Sequence, residues 1–159
     1  MDFAALTGRF CAAATAGTGA DLARLFTEDG VYHDGFYGAF RGRAAIADML
    51  DNHFRRDAHD FVWEMADPAC TGDVGYARYT FAYTARIDGA AGRRVVFEGV
   101  SRFRLAGPLI AAYDEVFDAG IAMIQLGFAP ERIARRAQRV ADALHARPDL
   151  ARFVKAPNG

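Results

Sequence analysis

The spacing of apolar residues changes once along the chain, from a helical period to strict alternation. In the first 57 residues apolar positions recur every three or four residues, which predicts three helices. The second of these begins in a capping box formed by Thr18 and Asp21, and the third covers residues 43–57. Farther along, apolar and polar residues alternate, which is typical of strands with one buried face. Helices followed by a run of strands indicate an α+β fold.

Four segments carry the alternation, and the last three of them form a predicted meander. They read "DFVWEMA", "YARYTFAYTARI", "RVVFEGVSRFRL" and "LIAAYDEVFD", with "DGAAG" and "AGP" as turns. A final helix is predicted from Pro130, because proline suits the first helical turn. Its arginines are predicted to form the solvated face. We expect residues 1–128 to form one domain and residues 129–159 a helical extension.

The segment "GVYHDGFYGAF", residues 30–40, places two titratable residues side by side among aromatic ones. Neighbouring residues of a strand face opposite sides, so only one of His33 and Asp34 can point inward. His33 would suit proton transfer because its ordinary pKa lies near neutrality. Asp34 in the same position would have a raised pKa, because aromatic walls disfavour its charged form. The alternation alone leaves both alternatives open.

The composition narrows the classes of partner and location. A chain of 159 residues that is 52% hydrophobic can bury one sizeable core. The net charge of −1 supplies no field for nucleic acid. Because the sequence shows no long apolar run, we expect neither a membrane segment nor a signal peptide. The two cysteines lack CxxC spacing, so we expect reduced thiols and a cytoplasmic protein.

Two segments resemble the nuclear transport factor 2-like superfamily, which includes ketosteroid isomerases, scytalone dehydratases and SnoaL-type polyketide cyclases. "LFTEDGVYHDGFYGAFRGRAAIADML" is similar to the superfamily's segment from second to third helix, and "FEGVSRFRLAGPLIAAYDEVFD" to its paired last strands. The resemblance covers residues 2 to about 118. It implies a cone, a curved antiparallel sheet wrapped around helices, with an apolar cavity at its wide end. It does not name a function, because the superfamily hosts many chemistries.

The resemblance also implies catalytic candidates. The superfamily's catalytic strand favours His33 when matched without a gap and Asp34 when matched with one, and we choose His33. Glu115 corresponds to the catalytic acid of SnoaL-type cyclases. Its alternative is an edge carboxylate paired with an arginine such as Arg102. Ser101 aligns with the oxyanion-binding acid of ketosteroid isomerases, and a serine is a weaker donor, which disfavours that steroid chemistry.

The remaining candidates are residues that the cone would point toward its cavity. They are Tyr32, Tyr37, Phe40, His53, Trp63, Tyr79, Phe81, Tyr83, Phe97, Ser101, Phe103, Tyr113 and Phe117. We predict neither a metal nor a cofactor, because no metal-binding motif links the His and Asp residues that could converge. Those residues are His33, Asp34, His53, Asp57 and His59.

Three functions are compatible with these residues. The first is a cyclase, isomerase or dehydratase that acts on an apolar carbonyl compound by acid–base catalysis, with His33 or Asp34 and Glu115 moving protons. The second is a module that binds an apolar small molecule without chemistry. The third is a dimeric interaction module. We also expect a homodimer through the outer face of the sheet, where alternating polar side chains favour a wet interface.

Overall fold

The structure is a computed structural model and describes residues 2–155. The α-helices of these residues are α1 (Phe3–Thr15), α2 (Gly19–Ala23), α3 (Arg43–Asp48), α4 (Arg55–Asp57), α5 (Ala119–Gln125), α6 (Pro130–His145) and α7 (Ala151–Val154). A π-helical stretch, Met49–Phe54, joins α3 to α4, and a 3₁₀ turn, Pro148–Leu150, precedes α7. The strands are β1 (Phe26–Asp34), β2 (Gly38–Arg41), β3 (Ala58–Thr71), β4 (Val74–Ala85), β5 (Arg94–Ala106) and β6 (Leu109–Phe117).

The strands form one curved sheet in the order β2-β1-β6-β5-β4-β3. Strands β3 to β6 make a continuous antiparallel meander, as the sequence predicts. Strand β1 pairs with β6 in parallel, so the sheet is not antiparallel throughout. Parallel neighbours need a long crossover, and here the chain returns through the third predicted helix and the meander. The predicted α+β class and the cone are confirmed.

Helix α1 packs on the inner face of the sheet and fills part of the cone with one ring. The Phe10 ring lies 5.3 Å from the rings of Trp63 and Phe103 and 4.8 Å from that of Tyr113, centroid to centroid. Phe10 is fully buried, and burying such a side chain stabilises the fold by about 1.5–3 kcal/mol. The interior beneath α1 is therefore solid, and open space lies elsewhere in the cone.

Two local features depart from the sequence pattern. The helical period extends the second helix to Phe26, but α2 ends at Ala23 and Phe26 opens β1 with its ring buried. Helix α5 is not predicted. Its Gln125 amide accepts from the Val96 N–H at 2.9 Å and donates to the Val96 carbonyl at 2.7 Å. These bonds satisfy the backbone of β5 where β6 no longer covers it.

The described residues can be compared with four further expectations, on helix starts, cysteines and membrane segments. Helix α2 carries the predicted capping box of Thr18 and Asp21, and α6 begins at Pro130 as predicted. Cys11 is buried and Cys70 exposed, and both are unpaired. None of the helices within residues 2–155 is long and apolar enough to cross a membrane.

Candidate functional site

Strand β1 turns Asp34, not His33, toward the interior. Asp34 is 5% exposed and Tyr32 1%, whereas His33 between them is exposed. The prediction that His33 faces the cavity, and with it the pairing of His33 and Glu115, is wrong. The physical reason is the Tyr32 ring, which packs 4.6 Å from the ring of Tyr113 on the adjacent strand. Burial of that large ring fixes the phase of β1, and Asp34 shares its side.

The Asp34 carboxylate holds the turn that follows β1. Its Oδ1 accepts the N–H groups of Phe36 and Tyr37, each at 2.7 Å. This is the local bonding by which Asp favours turns. Burial raises the pKa of Asp34, and the two N–H bonds together with Arg136 offset part of that rise. Asp34 thus acts first as the anchor of the segment after β1.

Glu115 lies beside Asp34 on the same face of the sheet. Ser101 is directly opposite it on β5. The Tyr113 hydroxyl donates to Glu115 Oε2 at 3.1 Å and lies 2.9 Å from Ser101 Oγ. The alternative pairing of Glu115 with Arg102 does not occur, because Arg102 pairs with the neighbouring carboxylate, Asp114, at 2.8 Å.

The surroundings of Glu115 move its pKa toward neutrality. Burial raises the pKa to about 7, and the negative charge of Asp34 adds to the rise. The hydroxyls of Tyr79 and Tyr113 and the Gly35 N–H lower it in part. A carboxyl with a pKa near 7 is present in both protonation states at neutral pH, which is what proton transfer requires.

Tyr79 reaches this carboxyl because its neighbour has no side chain. Gly99 is its register partner on β5, and a Cβ at that position would come within 2.6 Å of the Tyr79 ring and hydroxyl. The Tyr79 hydroxyl is buried and has no hydrogen-bond partner of good geometry within residues 2–155. It nevertheless lies near enough to Glu115 to lower its pKa. Because this hydroxyl makes no hydrogen bond of good geometry, it can donate to an oxygen atom of a ligand that approaches Glu115.

We call these side chains the polar cluster: Asp34, Tyr79, Ser101, Tyr113 and Glu115. An open cavity of about 310 Å³ adjoins it, a volume within the range of small-molecule sites. Aromatic and aliphatic residues dominate the cavity wall. The lining consists of Phe36, Tyr37, Phe54, Asp57, Ala58, Phe61, Phe81, Tyr83, Ala85, Ile87, Phe97, Met123, Leu126, Phe128, Arg132, Arg136 and Arg139.

One layer of aromatic rings separates the polar cluster from the cavity. We call Phe36, Phe97 and Phe117 the aromatic layer. The Phe97 ring lines the cavity, stacks on Phe117 at 4.6 Å and contacts the Tyr79 ring at 6.3 Å. Phe36 lines the cavity and packs on Phe117 at 5.2 Å, while its N–H binds Asp34. Glu115 therefore stands behind the wall of the cavity rather than in it.

Only four of the predicted cavity residues line it, namely Tyr37, Phe81, Tyr83 and Phe97. Four others do not, because the Phe10 ring fills the space near them: Tyr32, Trp63, Phe103 and Tyr113. Tyr79, Ser101 and Phe117 belong to the polar cluster and the aromatic layer. Phe40 and His53 pack on each other, with ring centroids 5.5 Å apart, and His53 pairs with Asp48.

The sequence analysis missed the arginines of α6. Arg132, Arg136 and Arg139 line the cavity, and because Arg132 and Arg139 are also exposed to solvent, we call the edge that they form the mouth. They were predicted to be a solvated face. Their spacing of four and then three residues places them on one side of a helix, and this was the available signal.

Across the described range, no three His, Cys, Asp or Glu side chains converge in a way that could hold a metal ion.

The curved sheet around helices, with an aromatic cavity, defines a protein of the nuclear transport factor 2-like class. A Catenulispora acidiphila DSM 44928 structure, a hypothetical protein with a ketosteroid isomerase-like fold in complex with trimethylamine, is similar with a TM-score of 0.70 and 19% identity, over 78% of this chain and 93% of that one. TsrD from Streptomyces laurentii is similar with a TM-score of 0.65 and 22% sequence identity, over 78% of this chain and 93% of that one. An M. tuberculosis LEH-like epoxide hydrolase is similar with a TM-score of 0.62 and 20% sequence identity, over 77% of this chain and 86% of that one. These identities show the fold alone.

Sequence similarity defines the family more narrowly. The profile of the SnoaL-like domain matches residues 7–113, which is well over half of the chain. The protein therefore belongs to the SnoaL-like family. Among curated proteins, none matches the chain in sequence.

Proposed function

We propose that this protein binds an apolar small molecule in the aromatic cavity and uses Glu115 to move a proton on it. The observation that carries the proposal is a half-buried carboxyl with a pKa of about 7 beside the buried hydroxyl of Tyr79, which makes no hydrogen bond of good geometry. Membership of the SnoaL-like family supports a role in small-molecule chemistry. The cavity volume and its aromatic lining support an apolar ligand.

The chemistry that these groups could perform is proton abstraction beside a carbonyl. Glu115 in its carboxylate form removes a proton from the carbon next to the carbonyl, and the electrons of that bond move onto the carbonyl oxygen. The Tyr79 hydroxyl, whose pKa burial raises well above its usual value, stays protonated and donates to the developing oxyanion. Return of the proton to a different carbon gives an isomer, and attack of the carbanion on a second carbonyl of the same molecule gives a ring.

Asp34 has a supporting role in this scheme. Its Oδ1 accepts two backbone N–H groups, which fix the orientation of the carboxylate in the turn after β1. Its negative charge raises the pKa of Glu115 and so keeps that carboxyl protonatable at neutral pH. Asp34 also fixes the segment that contributes Phe36 and Tyr37 to the cavity wall.

A second candidate function is binding without chemistry. It is favoured by one observation, the aromatic layer that separates Glu115 from the cavity. For catalysis, the Phe97 ring or the Phe36 ring must move to let a ligand carbonyl approach Tyr79 and Glu115. The Phe36 ring, which is 37% exposed, can make such a rotamer change rapidly, whereas the Phe97 ring is buried.

The two candidates are separated by exchange of carbon-bound hydrogen with solvent. The probe is 2-acetonaphthone, an apolar aryl ketone, followed by proton NMR in deuterated buffer, with its binding measured by calorimetry. We expect the protein to accelerate exchange of the methyl protons, and Glu115→Gln to reduce that acceleration about 100-fold or more. The rate should rise as pH increases through about 7, because the carboxylate is the active form.

Glu98→Gln is the matched control. It removes an exposed carboxyl on β5, away from the inner face, and should leave exchange unchanged. Binding of the ketone with no accelerated exchange would favour the second candidate. Absence of binding would contradict both.

A further inference from the structure

We propose that the molecule bound in the cavity carries an anionic group, a carboxylate or a phosphate, held at the mouth by Arg132 and Arg139. The inference rests on the proposed function, because it names the class of ligand for the same cavity. It adds a polar end to a ligand so far defined only as apolar. Three observations on α6 and the mouth support it.

The first observation is the placement of the guanidinium groups. Arg132 lies over the Phe128 ring at 3.9 Å from its centroid, and both residues line the cavity. Arg136 lies 5.1 Å from the Phe36 centroid and donates to the Gly35 carbonyl at 2.6 Å. The Arg136 contacts dock α6 against the turn after β1, and Arg132 and Arg136 each place a guanidinium group against an aromatic ring. A stacked guanidinium loses less freedom when it binds an anion.

The second observation is the lack of partners for two of these cations. Within residues 2–155, neither Arg132 nor Arg139 has an ion pair or a side-chain hydrogen bond to a protein group. Arg136, by contrast, uses one N–H for the Gly35 carbonyl. Arg132 and Arg139 therefore keep their full set of donors for a ligand. Guanidinium groups bind carboxylates and phosphates through paired N–H bonds.

The third observation is the charge balance of the cavity wall. The carboxylate in the lining is that of Asp57. It is already paired with Arg56, with Nε to Oδ1 at 2.6 Å, and it accepts from the Tyr37 hydroxyl at 2.5 Å. The carboxyls of the polar cluster stand behind the aromatic layer. The mouth therefore has an excess of positive charge next to an apolar interior, which favours a ligand with an apolar body and an anionic end.

The test compares three naphthalene compounds of similar size by calorimetry: 2-naphthoate, 2-naphthyl phosphate and the neutral 2-naphthamide. We expect at least one anion to bind about tenfold more tightly than the amide at low ionic strength. The preference should shrink in about 0.5 M salt, because exposed charges are screened. Arg132→Gln and Arg139→Gln should each weaken binding of the anion several-fold more than they weaken binding of the amide.

Arg135→Gln is the control, since Arg135 is an exposed arginine of α6 that does not line the cavity. It should behave like the unaltered protein with all three compounds. Equal binding of amide and anions, unaltered in Arg139→Gln, would overturn the anionic ligand and leave cavity binding intact. Failure of all three compounds to bind would overturn the cavity function itself. The anion with the higher affinity identifies the group.

Discussion

Replacing Glu115 by glutamine should change how stability depends on pH. The free energy of unfolding of the variant, relative to that of the unaltered protein, should increase as pH rises. The folded protein holds the proton of Glu115 up to a pKa of about 7, whereas the ordinary value is 4.5. Between these two values the folded state binds more protons than the unfolded state. The free energy of unfolding therefore falls as pH rises through that window, and no further loss occurs above it.

The size of the effect follows from the shift. A difference of about 2.5 pKa units corresponds to about 3 kcal/mol of stability lost between about pH 4 and pH 8. Glutamine has nearly the same shape and does not titrate, so Glu115→Gln removes this loss. The difference in free energy of unfolding, variant minus unaltered protein, should therefore increase by about 3 kcal/mol over the same range.

The assay is urea unfolding at several pH values, followed by fluorescence of Trp63, the single tryptophan of the chain. Contributions from titrating groups that do not interact with Glu115 cancel in the difference between the two proteins, whereas that of Asp34, whose charge interacts with Glu115, remains in it. Glu98→Gln serves again as the control for removal of a carboxyl from the exposed face. A difference for Glu115→Gln that stays constant across the pH range would refute the conclusion that burial holds this carboxyl in its neutral form.

Other predictions follow from the packing. Trp63→Ala should cost about 3–5 kcal/mol in urea unfolding followed by circular dichroism, because its ring is buried against Phe10; a cost under about 1 kcal/mol would place the ring on the surface. Tyr79→Phe should change stability by less than about 1 kcal/mol because its hydroxyl is unpaired, whereas Tyr113→Phe should cost about 1–3 kcal/mol because it leaves Ser101 without a partner. We also expect a homodimer through the outer face of the sheet, where Val100 and Val116 are cross-strand neighbours, 43% and 75% exposed. Light scattering should give a dimer mass that Val116→Glu reduces to a monomer mass, and a monomeric unaltered protein would contradict the interface.

The inward face of the meander was predictable because period-two alternation fixes it within each strand. Tyr79, Phe97 and Phe103 are buried as their shared phase indicates. The choice between His33 and Asp34 was not predictable in the same way, because alternation fits either side. It is decided by Tyr32, whose ring packs on Tyr113 across a parallel pair that joins distant parts of the chain.

The extent of the cavity was also beyond the sequence pattern. The apolar stripe of α1 predicts that Phe10 is buried, but not that its ring occupies the space between Trp63 and Tyr113. The arginines of α6 present the same difficulty. An amphipathic pattern defines two faces of a helix, and the docking contact of Arg136 with the Gly35 carbonyl decides which face meets the cavity.

Helix α6 lies outside residues 7–113, the part of the chain that matches the family, yet it contributes three side chains to the cavity lining. Glu115, the carboxyl proposed for proton transfer, lies on β6 just beyond that range, and the arginines proposed to select the ligand lie on α6, so the two are carried by separate elements. Substitution of Arg132 and Arg139 on α6 would alter which molecules are accepted, while the contacts of Glu115 with Tyr113 and Asp34 stay as they are. In such an architecture, ligand preference can diverge between relatives by changes to one terminal segment.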